Sequence, residues 1–151
     1  RGPNIMKGYI RPDAPGKLVP LADGWHDTGD VVAVDEEGYL VIRGRIKRFA
    51  KIGGEMVSLT VVENNAAAVW PDNMHAATIL PDPKRGEQIV LVTERKDPKR
   101  SDLLNWAQAH GVPEISVPKK IITVDALPVL GTGKMDYVSV EKMARAELEA
   151  S

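Results

Sequence analysis

The sequence predicts a small α+β fold, with strands that pair mostly as chain neighbours and helices laid against them. Three observations carry this reading. β-prone runs recur between glycine and proline turns, apolar residues at helical spacing separate them, and two of the runs follow each other with no helix between. That order disfavours a doubly wound sheet, in which every strand alternates with a helix. A chain of 151 residues could bury about 70% of its unfolded surface, enough for one cored domain or one domain with part of another.

The elements follow in order. Residues 1–24 carry Pro3, Pro12, Pro15 and Pro20 among Gly2, Gly8, Gly16 and Gly24, which predicts a turn-rich connection. Val31 to Val34 and Tyr39 to Ile42 flank Asp35-Glu36-Glu37-Gly38, a hairpin signal. The hairpin runs into a basic segment from Gly44 to Lys51, where an extended backbone would align Arg43, Arg45 and Lys47 on one face. Gly53-Gly54 then marks a hairpin turn or a close approach by another backbone. Ser58 is placed to cap a helix whose apolar residues are Leu59, Val62, Ala66 and Val69, closed by Pro71. Strands are expected at 74–80 and 87–94 around a turn from Pro81 to Gly86, and a helix from Ser101 to about Gly111. A strand at 119–124 leads into the loop bearing Lys134, and Ser139 is expected to open a last helix through about Leu148. The change of pattern places a boundary at 44–48.

Composition narrows the function classes. Twenty basic against twenty-one acidic residues leave a net charge of -1, so a general polyanion binder is disfavoured and any anion site must be local. There is no cysteine, which removes disulfides, thiolate catalysis and cysteine metal sites and is compatible with a reducing compartment. His26, His75 and His110 are too scattered for a local metal motif, and no apolar run approaches the ~20 residues of a membrane-spanning helix. The first residue is Arg1, which points to a piece of a longer protein.

Several residues could carry chemistry. Lys134 stands in Leu127-Pro128-Val129-Leu130-Gly131-Thr132-Gly133-Lys134-Met135-Asp136, where glycines permit unusual backbone angles and a lysine can meet a phosphate or carboxylate as a point charge. The same lysine also reads as a solvated residue after a turn. It is not a nucleotide P-loop, because Pro128 stands where the first glycine belongs and Met135 where a magnesium-binding hydroxyl would. The stripe Arg43, Arg45, Lys47, Arg48 and Lys51 reads either as an anion-facing surface or as charge protecting an edge strand. Asp30, after Gly24-Trp25-His26-Asp27-Thr28-Gly29, could bond its own turn or accept from a ribose diol. Glu55 and Glu63 read as solvated charges, Glu63 the more structural of the two.

Taken in order, Thr28-Gly29-Asp30, the hairpin, Gly44-Arg45-Ile46-Lys47, Lys51, Gly53-Gly54, Leu127-Pro128 and Gly133-Lys134-Met135-Asp136 resemble the adenylate-forming enzymes: acyl-CoA synthetases, luciferases and peptide-synthetase adenylation domains. The resemblance runs from about Gly2 to the C-terminus. Within the family, Lys47 to Ser58 and Ala109 to Glu114 look most like the synthetase part of a bifunctional acyl-acyl carrier protein synthetase and 2-acylglycerophosphoethanolamine acyltransferase. The resemblance implies that residues 1–44 are the tail of a large adenylation domain, 45–47 a hinge, and 48–151 a small mobile C-terminal lid. It implies that Asp30 holds the ribose of ATP, that Arg45 contacts ribose or phosphate, and that Lys47 is the hinge residue. Lys134 would stabilise adenylate formation, and Gly53 and Gly54 would line a pantetheine channel with help from Lys51.

ATP, Mg2+ held mainly by the large domain, a fatty acid, and the phosphopantetheine thiol of acyl carrier protein or CoA are the cofactors and partners so implied. The implied location is cytoplasmic, with the parent at the cytoplasmic face of the inner membrane. No metal ligand in this chain and no nucleic-acid partner are expected. Val61 departs from the acidic residue relatives often carry two positions before Glu63. A rival reading is a docking module for a carrier protein, with the 43–51 stripe facing an acidic partner.

Overall fold

The computed structural model describes residues 2–150. Among the described residues three sheets form along the chain. β1 (Gly8–Ile10) and β2 (Leu18–Pro20) pair antiparallel within the stretch expected to be irregular connection. Each is three residues long, too short for periodicity to reveal it. β3 (Asp30–Val34) and β4 (Leu40–Arg45) form the expected hairpin, a two-stranded sheet of its own. Asp35 closes its turn by accepting from the N–H groups of Glu37 and Tyr39 at 3.1 and 2.8 Å. Val34, Tyr39, Leu40 and Ile42 are each more than 60% exposed, so this hairpin shows apolar side chains to solvent.

The basic segment does not stay extended. Ile46–Arg48 form a 3-10 turn, which ends the period-two alignment of Arg43, Arg45 and Lys47 and rotates Arg48 inward. Beyond it β5 (Phe49–Ile52) and β6 (Glu55–Ser58) make a second hairpin. Gly53 and Gly54 are its tip, with φ of +59° and +96°, angles that side-chain-bearing residues rarely adopt.

α1 (Leu59–Val69) starts after Ser58, whose side chain makes no capping bond. β7 (His75–Asp82) and β8 (Gly86–Thr93) are the two expected neighbouring strands, antiparallel over their full length. β7 continues through Pro81, which the sequence had suggested for the turn. It is an edge strand of the sheet order β6-β5-β8-β7, and an edge tolerates the missing N–H of proline. The turn itself is held by Asp82, which accepts from the N–H groups of Lys84 and Arg85 at 2.8 and 3.0 Å. These two bonds hold its carboxyl below the usual aspartate range. α2 (Arg100–Ala109), β9 (Lys120–Thr123) and α3 (Tyr137–Glu149) complete the chain.

β9 joins β8 in parallel, after the crossover through α2. The antiparallel pairs and this single parallel pair make a mixed sheet. Alternation along β7 and β8 divides the core by face. Ala77, Ile89 and Leu91 pack with Leu59, Val62, Ala66 and Leu103 of α1 and α2. Ala76, Leu80, Val90 and Val92 pack with Val140 and Ala144 of α3 on the other face. The sheet is thus a central layer, with α3 and the Lys134 loop on the side opposite α1 and α2.

Candidate functional site

Among the described residues, Asp30 and Arg45 are the one sequence-derived pair whose side chains are brought into direct contact. The β3–β4 register sets them opposite each other, and Arg45 Nε lies 3.2 Å from Asp30 Oδ1. The turn before β3 is closed by other groups: Asp27 accepts from Gly29 N at 2.8 Å and the Thr28 hydroxyl from Asp30 N at 3.3 Å. Asp30 is therefore free of the turn role considered for it. Arg45 is 71% exposed at the side chain, so the pair contributes little to stability, within about 1 kcal/mol. The pair places a carboxylate and an exposed guanidinium side by side at one end of the hairpin.

Lys134 is exposed and its ammonium makes no ion pair among the described residues. Its loop is nevertheless fixed. Val129 and Met135 form an antiparallel bridge, Leu130 N donates to Lys134 O at 2.7 Å, and Asp136 N donates to Pro128 O at 2.9 Å. Gly133, at φ +79°, supplies the tight reversal, whereas Gly131 keeps an ordinary angle. Asp136, rather than Ser139, caps α3: its carboxylate accepts from Ser139 N at 3.2 Å and from the Ser139 hydroxyl at 2.7 Å. These bonds hold the Asp136 carboxyl below the usual 3.8. A lysine on a pinned loop can be presented to an anion with little ordering entropy left to lose.

Gly53 and Gly54 sit at the β5–β6 tip, beside Lys51, whose side chain is exposed. Lys51 N donates to Glu87 Oε2 and Gly53 N to Arg85 O at 3.2 Å, so β8 holds the hairpin from below. The tip and the Lys134 loop belong to different elements. Lys47 is exposed and lines a cavity of about 190 Å³ with Arg48, Thr78, Tyr137 and Glu141.

Sequence reasoning missed the residues under that cavity. Arg48 and Glu63 are 15% and 14% exposed at the side chain, with Arg48 Nη2 2.6 Å from Glu63 Oε1. That contact is an ion pair out of line for a hydrogen bond. Arg48 Nη1 donates to Ala77 O at 2.9 Å, Ala77 N donates to Glu63 Oε1 at 2.7 Å, and the Tyr137 hydroxyl donates to Glu63 Oε2 at 3.4 Å. The Arg48 guanidinium carbon lies 3.8 Å from the centre of the Tyr137 ring. Burial, then the charge of Glu63, raise the Tyr137 phenol above its usual 10.0, so it stays a donor at neutral pH. Glu63 is thus a paired, half-buried charge and not a solvated one. The signal was present: Glu63 falls within the apolar stripe of Leu59, Val62 and Ala66, where a carboxylate needs a partner.

No family model matches the chain. The chain is 35% identical over 150 residues to the peroxisomal trans-cinnamate:CoA ligase of Petunia hybrida, covering 97% of this chain and 26% of that protein. The structure of ATP-bound MatB from Rhodopseudomonas palustris superposes with a TM-score of 0.70 at 27% identity, over 95% of this chain and 29% of that one. A Mycobacterium tuberculosis fatty acyl CoA synthetase gives a TM-score of 0.64 at 28% identity, over 84% of this chain and 26% of that one. Its homologues and structural neighbours are adenylate-forming acyl-CoA and AMP ligases. The match is to the C-terminal region of these ligases, and the chain spans about a quarter of the length of the relatives it matches. As a fold, the mixed sheet with its three helices is that of the C-terminal domain of adenylate-forming enzymes. Among the described residues no three His, Asp or Glu side chains gather where a metal could sit.

Proposed function

We propose that the chain is the C-terminal part of an ATP-dependent fatty-acid ligase. Residues 1–44 are the tail of its large domain, 45–47 the hinge, and 48–151 a mobile lid. The parent makes acyl-AMP and passes the acyl group to a phosphopantetheine thiol of acyl carrier protein, in phospholipid acyl recycling, as the synthetase part of a bifunctional acyltransferase enzyme, in the cytoplasm at the face of the inner membrane. The observation that carries the reading is Lys134: an unpaired cation on a loop pinned by the Val129–Met135 bridge and the Asp136 cap, in a chain whose relatives form adenylates. The Mycobacterium tuberculosis fatty acyl CoA synthetase among the neighbours supports the fatty acyl class.

The chemistry sets the roles. In the first half-reaction a carboxylate oxygen attacks the α-phosphorus of ATP, a P–O bond forms and pyrophosphate leaves. Two anions converge in that step, and a positioned ammonium at Lys134 stabilises the charge that develops. Asp30 accepts from the ribose hydroxyls, and Arg45 orients beside it. In the second half-reaction the thiol sulfur attacks the acyl carbon, a C–S bond forms, AMP leaves and the thiol proton passes to solvent. Gly53 and Gly54 leave room for the pantetheine arm at the hairpin tip, with Lys51 alongside. Rotation at Lys47 exchanges the two faces between steps.

Lys134→Ala in the full-length enzyme is the test. It is expected to lower ATP–pyrophosphate exchange by roughly 10²-fold or more, while transfer from preformed acyl-AMP to the thiol is retained. An unchanged first half-reaction removes Lys134 from the mechanism. CoA as the acceptor is the second reading, favoured by relatives named as CoA ligases; thioester yields with CoA and with acyl carrier protein, measured side by side, decide it.

A further inference from the structure

Arg48 follows Lys47 directly, and Tyr137 lies three residues after Lys134; the structure closes the distance between them with a single guanidinium. Four elements meet there. The 3-10 turn Ile46–Arg48 supplies the guanidinium, α1 supplies Glu63, β7 supplies both backbone groups of Ala77, and α3 supplies Tyr137. On the far side, the Val129–Met135 bridge and the Asp136 cap leave the short run from Lys134 to Tyr137 without a freely turning joint.

A charge cluster of this kind is a poor device for stability alone, because apolar residues of equal volume often serve as well as a buried ion pair. Its distinctive property is directional. A guanidinium can stack on a ring, donate to a carbonyl and face a carboxylate at the same time, and only one orientation satisfies all three. Tyr137 remains 39% exposed, so the ring acts as a lid on Arg48 more than as core filling.

We propose that Arg48, Glu63 and Tyr137 form a clamp that fixes the direction of the Lys134 loop relative to the segment following Lys47. Tyr137 and Arg48 are then positioning residues for the first half-reaction. This rests on the proposed role of Lys134 and adds to it: the segment following Lys47 carries Lys134 with it as one body. The second half-reaction, which uses the β5–β6 tip, does not depend on the Tyr137 ring.

The experiment separates the half-reactions in the full-length enzyme. Tyr137→Leu removes the ring from Arg48 and is expected to lower kcat for ATP–pyrophosphate exchange by about 10-fold, since small misplacements of a reacting group are expensive. KM for ATP and the rate of thioester formation from preformed acyl-AMP stay within about twofold of the parent. Tyr137→Phe keeps the ring and loses only the long bond to Glu63, so it retains most of the exchange rate. Arg48→Lys keeps the charge without the fork and falls between the two. Thermal melts of each variant give the structural contribution.

Equal loss in both half-reactions, tracking the drop in Tm, overturns the clamp as a positioning device, and so does unchanged exchange in Tyr137→Leu. The Lys134→Ala control separates this failure from that of the functional reading. If Lys134→Ala abolishes exchange and Tyr137→Leu does not slow it, only the clamp falls. If Lys134→Ala leaves exchange intact, there is nothing for the clamp to position and both fall.

Discussion

Arg48 and Glu63 are each about one-seventh exposed, so removing one charge strands the other in a poorly hydrated place. Glu63→Gln is expected to destabilise the chain by about 2–4 kcal/mol in denaturant unfolding, toward the lower part of the range for breaking a buried pair because some water reaches it. The double variant Arg48→Met with Glu63→Leu should recover much of that loss, since no unpaired charge is left. A double variant less stable than the single would mean that the pair itself stabilises strongly. At this scale even a local turn was only partly legible: the sequence offered Asp30 for the turn role, whereas Asp27 closes the turn on Gly29. Arg48, Glu63 and Tyr137 are separated by long stretches of chain, and nothing local announces that a 3-10 turn will swing Arg48 inward. Asp30 stands out in the sequence as a carboxylate after a glycine turn, but its pairing with Arg45 follows only from the strand register.

Elements were read best where apolar periodicity ran for two turns or more. α1 and the β7–β8 pair fall within a few residues of their expected bounds, because each buries a regular face. For the β5–β6 hairpin the glycine pair left a hairpin turn and a close backbone approach both open, and the structure makes it the turn, since four-residue strands are too short to decide by alternation. Its tip is now testable. A Cβ on Gly54 would meet nothing within 4 Å, so Gly54→Ala reports backbone strain alone, about 1–2 kcal/mol at φ +96°. Equal stability of the variant would show that the hairpin relaxes to another turn.

The cap of α3 gives a pH test. The Asp136 carboxyl is held below 3.8 by its bonds to Ser139, so the folded state binds that proton less readily than the unfolded chain. Its contribution is full above the unfolded value and is lost as pH falls through the lower folded value. The Tm gap between the parent chain and Asp136→Ala should therefore be widest near neutral pH and shrink in acid below about pH 4. A gap that stays constant into acid would separate the cap from the charge.

At the scale of the whole molecule, Asp30 and Arg45 meet across the β3–β4 hairpin, whereas Lys134 stands on a separate loop. The 151-residue chain alone is expected to show no ATP–pyrophosphate exchange with fatty acids, measured with radiolabelled pyrophosphate; robust exchange would mean that these residues suffice. The α+β class was legible because two strands follow each other with no helix between them and apolar helix faces need a sheet to cover. The three-layer arrangement was not, since it depends on β9 crossing over to lie parallel to β8. The β3–β4 hairpin has a further consequence for anyone handling the protein. Two strands alone are marginal in water, and this pair displays Val34, Tyr39, Leu40 and Ile42 outward. Such a ribbon is adhesive. Light scattering of the purified chain should show clustering that rises with protein concentration, and Leu40→Lys with Ile42→Thr on the same ribbon should suppress it while leaving the melting of the main sheet unchanged. On this expectation, a few exposed side chains outside the buried core set the colloidal behaviour of the chain.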